Sequence, residues 1–217
     1  MKYPILDNKT PFDKRAEVNE KILAAVLRGS RTFTNTEIYN NYTGIGGLHG
    51  LNANDFDNYH EYSEAKKAIE LGQFFTPHDI CRQMVDLAAP DASEMVLDMC
   101  CGMGNFFNHL PNEHNAYGFD IDENAVKVAK RLYPDANITL DDMQFYDPKM
   151  RFDIILGNPP FGITIEDVKS QYFFTHKAYW LLNPGGLMVL VMPQSYLSNP
   201  STERMYISMV MYLLLFR

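Results

Sequence analysis

No apolar run in this chain approaches the roughly 20 residues a helix needs to cross a bilayer, and Met1-Lys2-Tyr3-Pro4 carries no signal-peptide core. A soluble, cytoplasmic protein is expected. Cysteine is scarce: Cys81, Cys100 and Cys101 have no metal-ligand spacing and cannot all pair, which argues against a disulfide scaffold and a structural metal. Positive charge is short too, with 19 Lys and Arg against 27 Asp and Glu and a net charge of −8. A polyanionic partner would have to be met by a local basic face or by another domain. No internal repeat or low-complexity tract is visible in the 217 residues, and a hydrophobic content of 46% suits one sizeable domain plus an appendage.

The most informative segment is Asn158-Pro159-Pro160-Phe161, at the end of the apolar run Phe152 to Gly157. Each proline pushes the residue before it toward extended geometry, so the loop is stiff. Two proline nitrogens lack an N–H, which leaves the stretch rich in acceptors (the Asn158 side-chain oxygen and the Pro159 carbonyl) and poor in donors. That suits a planar amino group, and Phe161 adds a face on which a flat ring could stack. Asn-Pro is also a common turn initiator, so the functional reading rests on context.

Upstream, Met95 to Phe107 reads as a buried strand entering a glycine-rich turn, where Gly102 and Gly104 let backbone approach a ligand and Asp98 ends the strand as an acceptor. The next strand ends in Asp120, about twenty positions on, the offset at which a carboxylate reaches ribose hydroxyls. Asp122 is expected to be the N-cap of a helix at 123–132. The third glycine of a dinucleotide fingerprint is missing, since Phe107 stands there, which favours a nucleoside-bearing ligand without a pyrophosphate. Thr76, Pro77 and Asp79 have the form of an N-cap, a first-turn proline and a capping-box-like acid.

Helices expected at 77–88, 105–110, 123–132 and 166–182 alternate with strands at 95–100, 116–121, 137–141, 152–157 and 187–192, which argues for a mostly parallel α/β sheet with helices on both faces. Asp98, Asp120, Asp142 and Asn158 then all fall at carboxyl ends of strands, where such sheets bind ligands. Before them come an amphipathic helix at 12–29, a glycine-rich loop at 41–48, and a helix at 57–71 ended by Gly72, whose tyrosines read as packing residues. The aromatic stripe of helix 166–182, including Tyr179 and Trp180, reads as core, and Asn183 to Gly186 as a turn.

In order and spacing these motifs resemble the S-adenosylmethionine-dependent N6-adenine DNA methyltransferases, including the modification subunits of type I restriction systems. Gln73-Phe74-Phe75-Thr76-Pro77 resembles their first cofactor motif, Val96 through Gly104 their Asp-Pro-x-Cys-Gly-Ser-Gly segment, and Gly118-Phe119-Asp120 the ribose-binding segment. Asp141-Asp142-Met143 occupies the place of the acidic motif, with Asp142 aligned to the residue that binds the cofactor adenine's amino group. Val191 to Ser195 resembles the end of the fifth strand. Met99, Cys100 and Met103 depart from the usual small or proline residues. The loop at 41–48 also resembles a Tyr-Thr-Gly-x-Gly-Gly-Leu segment of large phage- and plasmid-borne methylase proteins, where it would cover the cofactor or touch DNA.

The resemblance implies a Rossmann-like class I methyltransferase sheet at 72–217, with an N-terminal helical extension at 1–71. It implies S-adenosylmethionine as cofactor, held by Phe74, Phe75, Thr76, Asp98, Cys100, Gly102, Gly104, Asp120, Asp142 and Met143. The catalytic residues would be Asn158, Pro159, Pro160 and Phe161, and no metal is implied. The partner would be DNA with its target adenine flipped out, and a separate recognition subunit or domain. The family pattern would continue past Pro193 with a helix, two strands and a recognition segment. The chain is therefore expected to be C-terminally shortened, its apolar tail Met205 to Phe216 packing on this domain or a partner. Two alternatives stay open: a methyltransferase for protein glutamine or RNA, since release-factor and ribosomal-RNA guanine enzymes share Asn-Pro-Pro-aromatic loops, and a non-catalytic partner subunit.

Overall fold

A computed structural model of the protein describes residues 1–7, 10–46, 48, 50–70, 73–193 and 211–216. Within them, six strands form one sheet: β1 (Val96–Met99), β2 (Ala116–Asp120), β3 (Asn137–Leu140), β4 (Phe152–Gly157), β7 (Leu182–Pro193) and β8 (Met211–Phe216). Their spatial order is β3-β2-β1-β4-β7-β8, and every ladder is parallel. The remaining strands, β5 (Thr164–Ile165) and β6 (Val168–Lys169), make a small antiparallel hairpin just after the Asn158 loop. Six α-helices accompany them: α1 (Arg15–Leu27), α2 (Asn35–Asn41), α3 (Tyr59–Glu70), α4 (His78–Ala88), α5 (Glu123–Leu132) and α6 (Ser170–Leu181).

Side-chain alternation along the strands sorts the core into layers. In β1, Leu97 and Met99 join the cluster beneath α6, while Val96 points the other way, onto Cys81, Met84, Val85 and Ala88 of α4. Those four α4 residues recur at helical spacing, as do Ala125, Val126, Val128, Ala129 and Leu132 of α5. The α5 core also takes in Tyr3, Ile22 of α1 and Ile38 and Tyr39 of α2, so the expected extension and the sheet share one apolar cluster. Leu71 and Gly72, where the boundary was expected, lie outside the described residues, as do Gly47, Gln194, Ser195 and residues 205–210 of the tail.

Several local expectations are corrected. Pro77, not Thr76, holds the N-cap of α4, and no side chain caps that end; Thr76 instead lends its carbonyl to Asn105 Nδ2 at 2.8 Å. The stretch after Asn105 forms only a 3-10 turn, Phe106–His109. Tyr59 of α3 is 78% exposed and Trp180 of α6 57%, so neither is a packing residue, and Tyr179 and Ile69 are exposed with them. Residues 183–186 are not a free turn but a bulge in β7: the register passes from Phe152↔Leu182 to Ile154↔Leu187, with Asn183 Nδ2 donating to Asp153 Oδ1 at 2.8 Å. Helix α2 was not anticipated, although Thr34 and Glu37 form a complete capping box. The first four residues of the expected helix 166–182 belong to the hairpin, and α6 begins at Ser170. The backbone of the tail at 211–216 adds a strand beside β7.

Candidate active site

Parallel strands end together, and over the ends of β1, β2, β3 and β4 lies a cavity of about 290 Å³. Its floor is supplied by Cys100, Gly102 and Met143, its acidic rim by Asp120, Asp122, Asp141 and Asp142, and one wall by Phe74 and Phe75. Asn158 and Pro160 close the side toward β4, and Ile163, Thr164 and Ile165 bring the start of the hairpin over it. A narrow recess of about 20 Å³ continues inward past Thr76, Asp98 and Asn105. A broader groove of about 1130 Å³ adjoins on the N-terminal side, with Gln73, Phe74 and Phe75 shared between the two.

Asp120 is anchored through both of its oxygens. Its Oδ2 accepts the Gly102 N–H at 2.7 Å and its Oδ1 the Asp122 N–H at 2.9 Å, which aims the group at the cavity and leaves lone pairs for further donors. Burial raises its pKa above the ordinary carboxylate range, and those two backbone N–H bonds oppose the shift. Asp142 accepts the Gln144 N–H at 2.9 Å. Asp122 is an N-cap as expected, through Asn124 N–H at 2.9 Å, and it also lines the cavity.

Asp98 is 1% exposed, and neither of its oxygens has a hydrogen-bond partner among the described residues. Burial, and then the charge of Asp120, push its pKa well above the ordinary range. A carboxylate held this way is complementary to a cationic group entering the recess. The Cys100 thiol is pushed up by burial and by Asp120, Asp98 and Asp142, which keeps it protonated and a poor nucleophile.

Asn158 donates from Nδ2 to the Phe74 carbonyl at 3.4 Å, a long bond that turns its amide oxygen to other donors. Phe74 itself is 70% exposed. Not every expected residue reaches the cavity wall. Asp98 borders only the recess, Thr76 the recess and the broader groove, and Pro159 is buried. Phe161 packs half-buried against the clusters under α6 and α4 instead of facing the cavity. Gly104 faces the core, where a Cβ would meet the Tyr133 ring at 2.8 Å. Unforeseen contributors are Gln73, Ile121 and the hairpin residues Ile163 to Ile165. Gln73 belongs to the motif Gln73-Phe74-Phe75-Thr76-Pro77, and the β-branched run after Gly162 is a strand signal. Among the described residues no group of three or more His, Cys, Asp or Glu could hold a metal ion, and no helix is long and apolar enough to cross a membrane.

A parallel sheet with an acidic, aromatic-walled cavity over its strand ends is a Rossmann-like arrangement. Residues 58–205 match the N-6 DNA Methylase family, and the chain belongs to that family. It is similar to the type II methyltransferase M.TthHB8I of Thermus thermophilus, at 30% identity over 58% of this chain and 36% of that one. The methylase subunit of the type I restriction enzyme EcoEI from Escherichia coli is 26% identical over 51% of this chain and 28% of its own. The chain thus spans about a third of the length of these curated relatives. Among solved structures, the CcbJ methyltransferase of Streptomyces caelestis aligns with a TM-score of 0.43 at 22% identity, over 52% of this chain and 49% of that one.

Proposed function

We propose that this chain carries the catalytic domain that methylates the N6 amino group of adenine in DNA, with S-adenosylmethionine as methyl donor. The observation that carries the reading is the meeting of Asn158 and Pro160 with the anchored carboxylate of Asp120 and the unpartnered Asp98 around one connected cavity. The residues fit the cofactor by chemistry. Asp120 suits ribose hydroxyls, Asp142 an adenine amino group, Phe75 an apolar ring face, and Asp98, at the recess, an ammonium group. Phe74, Thr76, Cys100, Gly102 and Met143 complete the holding set, with Gly104 shaping the turn from behind. When bound, the cofactor supplies a methyl group on a cationic sulfonium.

The remaining work falls to the Asn158 loop. An exocyclic amine conjugated to a purine is a weak nucleophile because its lone pair is delocalised. The Asn158 amide oxygen and the Pro159 carbonyl, accepting both N–H bonds, favour a pyramidal nitrogen with its lone pair free for attack. The two prolines hold those acceptors in place before substrate arrives. A base inside a duplex cannot reach this loop, so the adenine must be flipped out. The protonated Cys100 fits a route without a covalent enzyme–base intermediate.

In this reading residues 72–217 form the transferase unit and residues 1–71 an extension closing against its cavity. Base recognition falls to a further domain or subunit, and the setting is a cytoplasmic restriction-modification or mobile-element system. The family match supports DNA over the protein or RNA substrates of enzymes with similar loops. The test is Asn158→Ala. Calorimetry should find cofactor affinity within about twofold of wild type, while methyl transfer falls by about 10²–10³-fold, the usual cost of losing a polar group aimed at the reacting centre. Parallel loss of both would move Asn158 to the cofactor.

A further inference from the structure

The glycine loop at 43–46 has no part in the chemistry above, yet it is fastened on both sides. From α1, Asn19 Oδ1 accepts the Thr43 N–H at 2.9 Å, Asn19 Nδ2 donates to Gly44 O at 2.7 Å, and Arg15 Nη2 donates to Gly46 O at 3.1 Å. On the other side the Ile45 N–H donates to Gln73 Oε1 at 2.7 Å. The approach there is too close for side chains. A Cβ on Gly44, whose φ is +62°, would lie 2.1 Å from Gln73 Oε1, and one on Gly46 would lie 2.4 Å from the Gln73 carbonyl. These two positions demand glycine because the loop's backbone rests directly on residue 73.

Gln73 continues the connection into the cavity. Its Nε2 donates to Asp122 Oδ2 at 2.7 Å. Asp122 in turn caps α5 through Oδ1 and gives its own N–H to Asp120, which also receives the Gly102 N–H. The orientation of the Gln73 amide is fixed by donor logic: a backbone N–H can only donate, so the oxygen must face Ile45 and the NH2 must face Asp122. One side chain therefore joins the N-terminal loop, the segment carrying Phe74 and Phe75, and the acidic rim.

We propose that Gln73 is a positioning residue that latches the 43–46 loop to the Asp120–Asp122 pair, so that docking of the loop and presentation of Asp120 to a ribose are set together. The proposal rests on the cofactor reading above and extends it. A ligand that bonds Asp120 tightens the chain of hydrogen bonds leading to Ile45, and a docked loop holds Asp122 and Asp120 in place for the ligand. The loop is thus the part of the extension that responds to occupancy of the cavity.

The two ends of the latch can be exchanged. Gln73→Glu alone sets a carboxylate against Asp122 and removes the donor. Asp122→Asn alone keeps a competent helix cap but turns an NH2 toward the Gln73 NH2, which cannot flip without losing Ile45. Together the substitutions restore the pattern: the carboxylate at 73 accepts from Ile45 and from the amide at 122. Calorimetry with S-adenosylmethionine should give each single variant about tenfold weaker binding and the double variant binding within about threefold of wild type, a coupling of the size found between contacting groups. Hydrogen exchange of the Ile45 amide, followed with and without S-adenosylmethionine, should be slowed by it in wild type and the double variant and unchanged by it in the singles. Additive losses in the double variant, or singles with wild-type exchange at Ile45, overturn the proposal. If wild type binds no cofactor, the cofactor reading falls, while the ligand-free exchange rates of Ile45 in the four proteins still decide whether the latch exists. If Gln73→Glu does not fold alone, Asp122→Asn against the double variant carries the same comparison.

Discussion

Asp98, proposed above to meet the cofactor's ammonium group, acts against the fold that holds it. Its folded pKa is raised, so its contribution to stability is complete below its unfolded value of about 4 and is lost as pH rises through the folded value. Asp98→Asn removes that pH-dependent loss. It should stabilise the ligand-free protein at pH 7 by about 1–3 kcal/mol in denaturant titration and flatten its stability above pH 4, while weakening cofactor binding. Equal stability of the two proteins across pH 4–8 would show that the carboxylate has a partner. The two phenylalanines near Asn158 divide roles in a similar way. Phe161→Ala should lower stability by about 1–3 kcal/mol through lost packing. Phe74→Ala should leave stability within about 0.5 kcal/mol and weaken binding of DNA or cofactor, as read by unfolding and binding titrations side by side.

At the scale of elements, α4 ends with Ala89 in the left-handed region at φ +46°, a position where a Cβ is costly. Ala89→Gly should raise stability by about 0.5–1 kcal/mol despite glycine's larger unfolded entropy, measured by the denaturant midpoint. The β5–β6 hairpin turns on Glu166 and Asp167, both at positive φ, where Asn-Gly would be the low-strain pair. That pair also explains why the hairpin was not legible beforehand: its turn residues carry none of the expected chemistry, and its strands are two residues each. By contrast the helix at 123–132 and the strand at 152–157 appear where periodicity and capping put them, because Asp122 and the apolar run Phe152 to Leu156 are strong local signals. The Asn158 loop and the three acids Asp98, Asp120 and Asp142 were legible because they follow strong strand signals. What sequence could not carry was the direction of side chains on exposed faces. Helical spacing placed Tyr59, Tyr179 and Trp180 on stripes without telling whether another layer covers them. It likewise could not tell that Phe161 turns to the core while Phe74 stays at the cavity.

For the whole molecule, charge is the controlling quantity. With a net charge of −8, the chain offers phosphates little attraction overall. DNA binding by residues 1–217 alone should be weak, salt-sensitive and nearly indifferent to sequence, which gel-shift titration of mixed duplexes at two salt concentrations would measure. A tight, selective complex would reveal a recognition surface within these residues. The central claim, amino-group methylation of adenine, is tested most directly by incubating the protein with isotopically labelled S-adenosylmethionine and a mixed pool of DNA, then digesting the DNA to nucleosides for mass spectrometry. The account predicts label in N6-methyladenine and in no other nucleoside, with the signal lost in Asn158→Ala. Label in 5-methylcytosine, or no label in DNA while the protein binds the cofactor, would contradict it.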